Sequence, residues 1–372
     1  MGTSVIVIGA GIAGLCAGCY AQMNGYSTRI LEMHDIAGGV CTAWKRRGYT
    51  IDCCIQWLVG SDPRSKYHRL WQEVGLIQGR QIVDSQEFAR VEAPDGRVVV
   101  IYTDLDRLQA HLTELSPADA PLITRLLDDG RRAAAHEMPT VIPGSRAESL
   151  RLLPRMLLLM GPMSRWSKLT VGQVAERLHS PLLRAALTAV WDPDISAFAL
   201  IGSLAWLHAH NAGYPIGGSL PLIRAVERRF RDLGGEVEYR CRVTQVLVKN
   251  DRAVGVRLAD GREMRADIVI SAADGHATIF ELLQGRYVDA AIRRAYEARA
   301  VYKPLVFIGL GVARDFSDEP RPISGGHLLL DEPVRIGPDE VHALHHRIHN
   351  FDPTLAPAGK TVITSAIPSD SA

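Results

Sequence analysis

The sequence predicts an α/β protein. A discontinuous Rossmann-like dinucleotide-binding domain, made of a parallel sheet plus a β-meander, carries an inserted α+β second domain. Three observations point there. At the N-terminus the apolar run Ser4-Val5-Ile6-Val7-Ile8 leads straight into Gly9-Ala10-Gly11-Ile12-Ala13-Gly14. Far downstream, short strand-like segments from Glu236 to Ser271 end in a second buried run. The stretch between them reads as mainly helical, and 372 residues suit two domains.

Composition sets the outer limits. The chain is 47% hydrophobic and 22% charged, an ordinary globular mix that excludes disorder as the main state. Lys and Arg total 42 against 41 Asp and Glu, so no global field draws in nucleic acid or anionic lipid. Six cysteines at 16, 19, 41, 53, 54 and 241 are scattered, and the chain enters a strand at once with no secretory signal. That usage fits a reducing cytosol and buried thiols. Cys16-x-x-Cys19 has no second pair at zinc spacing and reads as helix packing. No apolar run reaches the ~18–20 residues that span a bilayer. A cytoplasmic protein is expected.

The first element is a strand buried on both faces, because Ser4 to Ile8 is continuously apolar. The glycine turn, a small-residue helix to Asn24-Gly25, a second strand from Ser27 to Leu31 and the acid Glu32 follow in order. This is the dinucleotide fingerprint in its required context. Gly9 permits the tight turn, Gly11 lets backbone approach a pyrophosphate, and Gly14 lets helix and strand lie close. Free N–H groups at the helix N-terminus hold the phosphates. Glu32 is placed to accept from ribose hydroxyls, and its charge repels a 2′-phosphate, which disfavours NADP.

After Met33 a second glycine pair arrives in Gly38-Gly39-Val40-Cys41-Thr42, then Trp44 to Asp52 and Cys54-Ile55-Gln56-Trp57-Leu58-Val59-Gly60. This run resembles the FAD-dependent amine oxidase and phytoene desaturase superfamily, and is most similar to its carotenoid isomerase and retinol saturase branch. The resemblance implies an FAD-binding domain with Gly9, Gly11, Ile12, Ala13, Gly14, Glu32, Met33, Gly38 and Gly39 around the cofactor. It also implies that Asp52 to Trp57 approaches the isoalloxazine ring, with Trp57 facing substrate. Gln56 stands where the branch tends to carry His, and an amide cannot titrate near neutral pH.

Glu92 to Tyr102, with its Asp95-Gly96 turn, reads as a hairpin. From Asp104 to Leu200 the pattern is helical and broken by prolines. Residues 150–163 are apolar with interspersed Arg: a core helix is one reading, a peripheral membrane contact or entrance lid the other. Ile195 to His210 is apolar and leads into Tyr214-Pro215-Ile216-Gly217-Gly218, with Ser219 read as an N-cap. The resemblance brings Tyr214 and the Gly217-Gly218 backbone near the ligand. His208 and His210 read as hydrogen-bonded histidines rather than catalytic ones.

The returning segment runs through strands from Glu236, Arg242, Ala253 and Glu263, turned at Asn250-Asp251 and Asp260-Gly261, to a buried strand, Arg265 to Ala273. By the resemblance, Val243 meets the adenine and Ala272 lies at the cofactor. The expected FAD-binding domain is 1–80 and 215–285, and the expected substrate domain 81–214 and 286–372. Lys303 to Val312 and Thr361 to Ile367 read as strands of the latter. His342, His345, His346 and His349 lack the carboxylate placement of H-E-x-x-H, and no metal is expected.

The sequence stops at Ala372 just after a strand, where the superfamily runs on into a glycine-rich segment that closes over the flavin. The expectation is a chain without that segment. The resemblance implies an FAD-dependent oxidoreductase acting on C–C or C=C bonds of a hydrophobic, polyene-like small molecule, as a desaturase, saturase or isomerase. The rivals are a truncated or degenerate nucleotide-binding member and an amine oxidase-type flavoprotein. No acid–base constellation stands out, so no catalytic side chain is nominated.

Overall fold

The computed structural model describes residues 2–136, 161, 163–298, 304–337 and 339–369. The chain divides into two units, one of Met1–Trp44, Leu70–Gly79 and Gly217–Tyr302, the other of Lys45–Arg69, Arg80–Ile216 and Lys303–Ala372.

In the first unit, strand β1 (Ser4–Ile8), helix α1 (Ile12–Met23) and strand β2 (Ser27–Leu31) follow one another as the fingerprint requires. The sheet is parallel, in the order Glu236–Glu238, β2, β1, Ile268–Ser271. Val7 lies opposite Ile30 on one side and Ile270 on the other. Strands Val243–Lys249, Arg252–Leu258 and Glu263–Arg265 form the antiparallel meander. Val243, Val256 and Leu258 bury against Ile6, Ile8 and Leu31, so one apolar cluster joins meander and sheet. Helix Ser219–Asp232 runs beside α1, where Gly18 leaves room for the Phe230 ring.

Three expectations change here. The strand expected to be buried at 265–273 is Ile268–Ser271 on the outer side of β1, and Ile268 is exposed. The segment from Glu236 joins the parallel sheet beside β2 rather than the meander. The N-cap of helix Ser219–Asp232 is Gly218 (φ +71°), with Ser219 buried as the first helical residue. The left-handed Gly217-Gly218 pair makes that entry, which no serine would favour.

The second unit is built on a six-stranded sheet ordered Leu305–Val312, Thr361–Pro368, Asp339–Ile348, Gly325–Ile336, Glu87–Glu92, Val98–Tyr102. Only Gly325–Ile336 and Glu87–Glu92 pair in parallel; the Asp95-Gly96 hairpin is present. Helices Leu105–Leu115, Ala120–Ala134, Val171–Ala175, Pro181–Val190 and Ala197–His208 belong to it. Asp104, Thr170, Ser180 and Ser196 cap four of these helices by accepting from first-turn amides. Phe88, Val91, Val99 and Ile101 of the sheet close the core against Leu105, Leu108, Leu127 and Leu204 of the helices.

The unit boundaries differ from 80, 215 and 285. Residues 45–69 go with the second unit, because Gly309 and Gly311 leave the space that Ile51 and Tyr49 fill, and Thr50 N–H donates to Leu355 O. Residues 286–302 go with the first, where Tyr296 meets His276 and Phe280 edge-on. Of the 150–163 stretch only Gly161 and Met163 are described, so both readings of it lie outside the described residues. No helix among the described residues is long and apolar enough to cross a membrane.

Candidate functional site: a glycine cradle and a buried polar cluster

In the first unit the two glycine patches meet. Gly11 and Gly38 form a parallel β-bridge, Gly38 N–H donates to Ala10 O, and a Cβ on Gly39 would come within 3.6 Å of Gly11 Cα. Two positions admit only glycine. A Cβ on Gly14 would lie 1.9 Å from Gly9 O, and one on Gly38 (φ +133°) would lie 2.6 Å from Cys41 O. Ala272, whose N–H donates to Ile8 O, closes the turn from the strand beside β1; its Cβ stands 3.2 Å from where a Gly14 Cβ would be. Backbone this bare is what a pyrophosphate needs, and the first amides of α1, at Ile12, Ala13 and Gly14, have no intrahelical carbonyl to bond.

Glu32 follows β2 at 5% exposure. One carboxylate oxygen accepts from Ala10 N–H at 2.7 Å and the other from His34 N–H at 2.9 Å. Each oxygen keeps a further lone pair, so the carboxylate is oriented and still able to accept from a ribose. Cys241 N–H donates to Glu32 O, which brings the start of strand Val243–Lys249 past the acid. Val243 is buried there and pairs with Leu258. Met33 and Ile36, before the second patch, and Val40, just after it, are exposed and form an apolar rim. The cradle thus gathers Gly9, Gly11, Ile12, Ala13, Gly14, Glu32, Gly38, Gly39, Val243 and Ala272 in one unit. The residues fit an adenine dinucleotide.

Burial holds the thiols of α1 protonated, with Cys16 pushed up to about 11 and Cys19 to about 12. They serve packing against helix Ser219–Asp232, where Cys19 Sγ lies 3.8 Å from Val226 O.

The second unit holds a cluster that sequence reasoning missed. Arg347 is 4% exposed; it donates from one terminal nitrogen to Ile55 O at 3.0 Å and from the other to Gln56 O at 3.1 Å. Its guanidinium carbon lies 5.2 Å from the ring centroids of both Tyr214 and Phe351. Burial pulls its pKa down to about 10, against the attraction of Tyr214, Asp52 and Asp352. Tyr214 is fully enclosed, donates its hydroxyl to Asp352 Oδ2 at 2.9 Å, and meets Phe351 edge-on at 4.9 Å. Burial raises its pKa, and Asp352 adds to the rise. Tyr214 thus stands inside this cluster, between Arg347, Phe351 and Asp352.

Trp57 is half-buried, edge-on to Phe88 at 5.2 Å, and Phe88 stacks on Trp191. Gln56 beside it is exposed. The histidines differ in how far the fold satisfies them: His327 Nε2 and the Nδ1 atoms of His345, His346 and His349 are buried without a hydrogen-bond partner. His208 Nδ1 accepts from Leu105 N–H, and His210 sits in a left-handed turn (φ +53°). His327 and His345 face each other across two strands, His345 bonding Ser324 O and His349 bonding Thr364 Oγ1. Burial keeps all three imidazoles neutral, with His327 pulled down to about 3. No group of three metal-ligating side chains is close enough to hold an ion among the described residues. Period-two alternation along Asp339–Ile348 would have placed His345 and Arg347 on one face and His346 on the other.

The helical layer of the second unit encloses an apolar cavity of about 60 Å³, lined by residues that include Ile101, Leu108, Leu127, Leu178, Trp191 and Leu204.

Comparison with known proteins agrees with this geometry. A family model described as flavin containing amine oxidoreductase matches residues 12–372. The chain is 27% identical to a phytoene desaturase (lycopene-forming) of Pseudescherichia vulneris, over 95% of this chain and 74% of that protein. It is 27% identical to a phytoene desaturase (neurosporene-forming) of Rhodobacter capsulatus, over 76% of this chain and 54% of that one. A chloroplastic prolycopene isomerase of Arabidopsis thaliana is 22% identical, over 96% and 62%. The chain therefore spans from about half to three quarters of the length of these relatives. Among solved structures, an oxidoreductase from Methanosarcina mazei superposes with a TM-score of 0.63 at 20% identity, over 98% of this chain and 79% of that one. A redesigned putrescine oxidase gives 0.64 at 15%, over 99% and 76%. Both speak to the fold alone. The chain belongs to the family of flavin-containing amine oxidoreductases, and its cofactor is FAD.

Proposed function

We propose that this FAD-dependent oxidoreductase acts on C–C and C=C bonds of an apolar, polyene-like substrate, by desaturation, saturation or isomerisation. The observation that carries the substrate class is the similarity to phytoene desaturases and prolycopene isomerases over most of this chain. The aliphatic and aromatic core of the second unit, with its small apolar cavity, offers an ammonium no counter-charge.

Within this reading the first unit binds the cofactor and the second the substrate. The α1 amides hold the pyrophosphate, Glu32 anchors the ribose, Met33 and Val243 flank the adenosine, and Trp57 lines the approach for the hydrocarbon. Bound FAD supplies hydride exchange; the chain orients one carbon–hydrogen or double bond and keeps water away. So hydrophobic a substrate reaches the protein from a lipid surface, so we place the chain in the cytoplasm, in peripheral contact with membrane.

The test is a visible spectrum of the purified protein before and after added FAD, followed by anaerobic phytoene in detergent micelles. Flavin absorbance that is bleached by phytoene, or a lengthened polyene chromophore, supports the proposal. A protein that stays colourless with added FAD overturns it in favour of a nucleotide-binding remnant. Flavin reduced by amines but untouched by polyenes overturns the substrate class.

A further inference from the structure

The stretch Asp52–Trp57 has no regular structure after its first residue, yet one buried side chain holds it from below. Strand Tyr49–Asp52 ends at Asp52, whose Oδ1 accepts from Cys54 N–H, and the next strand begins at Leu58. Between them, the carbonyls of Ile55 and Gln56 both point at Arg347. The two donor distances, 3.0 and 3.1 Å, are those of a planar fork spanning two consecutive peptide units. Arg347 cannot drift from this position. It leaves the sheet opposite Thr364, with Gly325 across the other strand, and a Cβ at Gly325 would stand 3.2 Å from Arg347 Cα. Its guanidinium lies over two aromatic rings, one of them tied to Asp352. A cation buried this deeply without a carboxylate in direct contact costs stability. Its two main-chain bonds, the flanking rings and the attraction of Asp52 and Asp352 offset that cost.

We propose that Arg347 is a positioning residue: it clamps the Ile55 and Gln56 carbonyls, and so sets how Gln56 and Trp57 present their side chains to substrate. Tyr214 and Asp352 act one step further back, fixing the floor on which the guanidinium rests. The inference rests on the functional reading above, in which Trp57 lines the approach for the hydrocarbon. It assigns the role to an Arg because lysine, a point donor on a flexible stem, cannot bond both carbonyls in one plane.

The test compares Arg347→Met and Arg347→Lys with wild type, as full chains loaded with FAD. Amide exchange across residues 53–58 reads the clamp directly and needs no flavin. We expect it to quicken about tenfold or more in Arg347→Met, less in Arg347→Lys, while amides of α1 and β2 keep their protection. The kcat and KM for anaerobic bleaching of the bound flavin by phytoene read the consequence, and a purely architectural residue would leave them alone. We expect kcat to fall about tenfold in Arg347→Met and to recover in part in Arg347→Lys. Unchanged exchange at 53–58 overturns the clamp. Faster exchange with unaltered bleaching overturns the positioning role. A wild-type protein that takes up no FAD defeats the functional reading instead, and the exchange data still decide the clamp.

Discussion

At Gly14 one hydrogen separates a working turn from a broken one. The obstacle to a methyl group is Gly9 O, a backbone atom that cannot swing aside. Gly14→Ala should lower unfolding free energy by about 1–3 kcal/mol and abolish the thermal shift produced by FAD. Gly202→Ala, in open space within helix Ala197–His208, is the control and should add up to about 1 kcal/mol. His327 gives the complementary case, a side chain that folding keeps from charging. Its folded pKa is about 3, below the ordinary 6.5, with burial the main cause and His345 and His346 secondary ones. Between those values the unfolded chain binds the extra proton, so stability is full above pH 6.5 and drains as pH falls towards 3. The loss amounts to about 3–5 kcal/mol across that window. Urea melts from pH 7 to 4 should show it, and His327→Leu should flatten the slope.

Among elements, Asp119 joins two helices that the sequence leaves apart. It sits where the short 3₁₀ turn Pro117–Asp119 enters Ala120–Ala134, and accepts from the neighbouring Ser116 hydroxyl and from His179 N–H and Ser180 N–H at the start of Pro181–Val190. Burial pushes this carboxyl up, but those donors win and hold it at about 2. A folded pKa below the usual carboxylate value means the contribution is present above about pH 4 and lost as pH falls through 2. Asp119→Ala should cost about 2–3 kcal/mol in a denaturant titration, with an unchanged slope. Distance in sequence explains what was legible. The strand, glycine turn, helix and acid from Ser4 to Glu32 are local and could be read residue by residue. The clamp joins Arg347 to Ile55 across 292 positions, and the Tyr214–Asp352 bond spans 138. No local pattern marks either pair, so the resemblance could place Tyr214 but could not name its partner Asp352. The Ser219 cap was missed by one residue because Gly218 offers a better entry than a hydroxyl.

At the scale of the molecule, the glycine cradle belongs to a unit drawn from three separate stretches of chain. FAD, as a ligand of the folded form only, should therefore raise the melting temperature, adding about 2.7 kcal/mol of stability at a hundredfold excess over its dissociation constant. Calorimetry at rising FAD concentration checks this; a transition that stays put would mean the cradle is empty of function. The same sheet also sets a clock. β1 and β2 are made first, but their outer neighbours begin at Glu236 and Ile268. At about 5–20 residues per second, ribosomal synthesis takes roughly ten to fifty seconds to deliver them. For that interval the nascent pair shows both hydrogen-bonding edges and an aliphatic surface to the cell. Until both late strands arrive, that unfinished seam is the surface on which nascent copies would stick to one another.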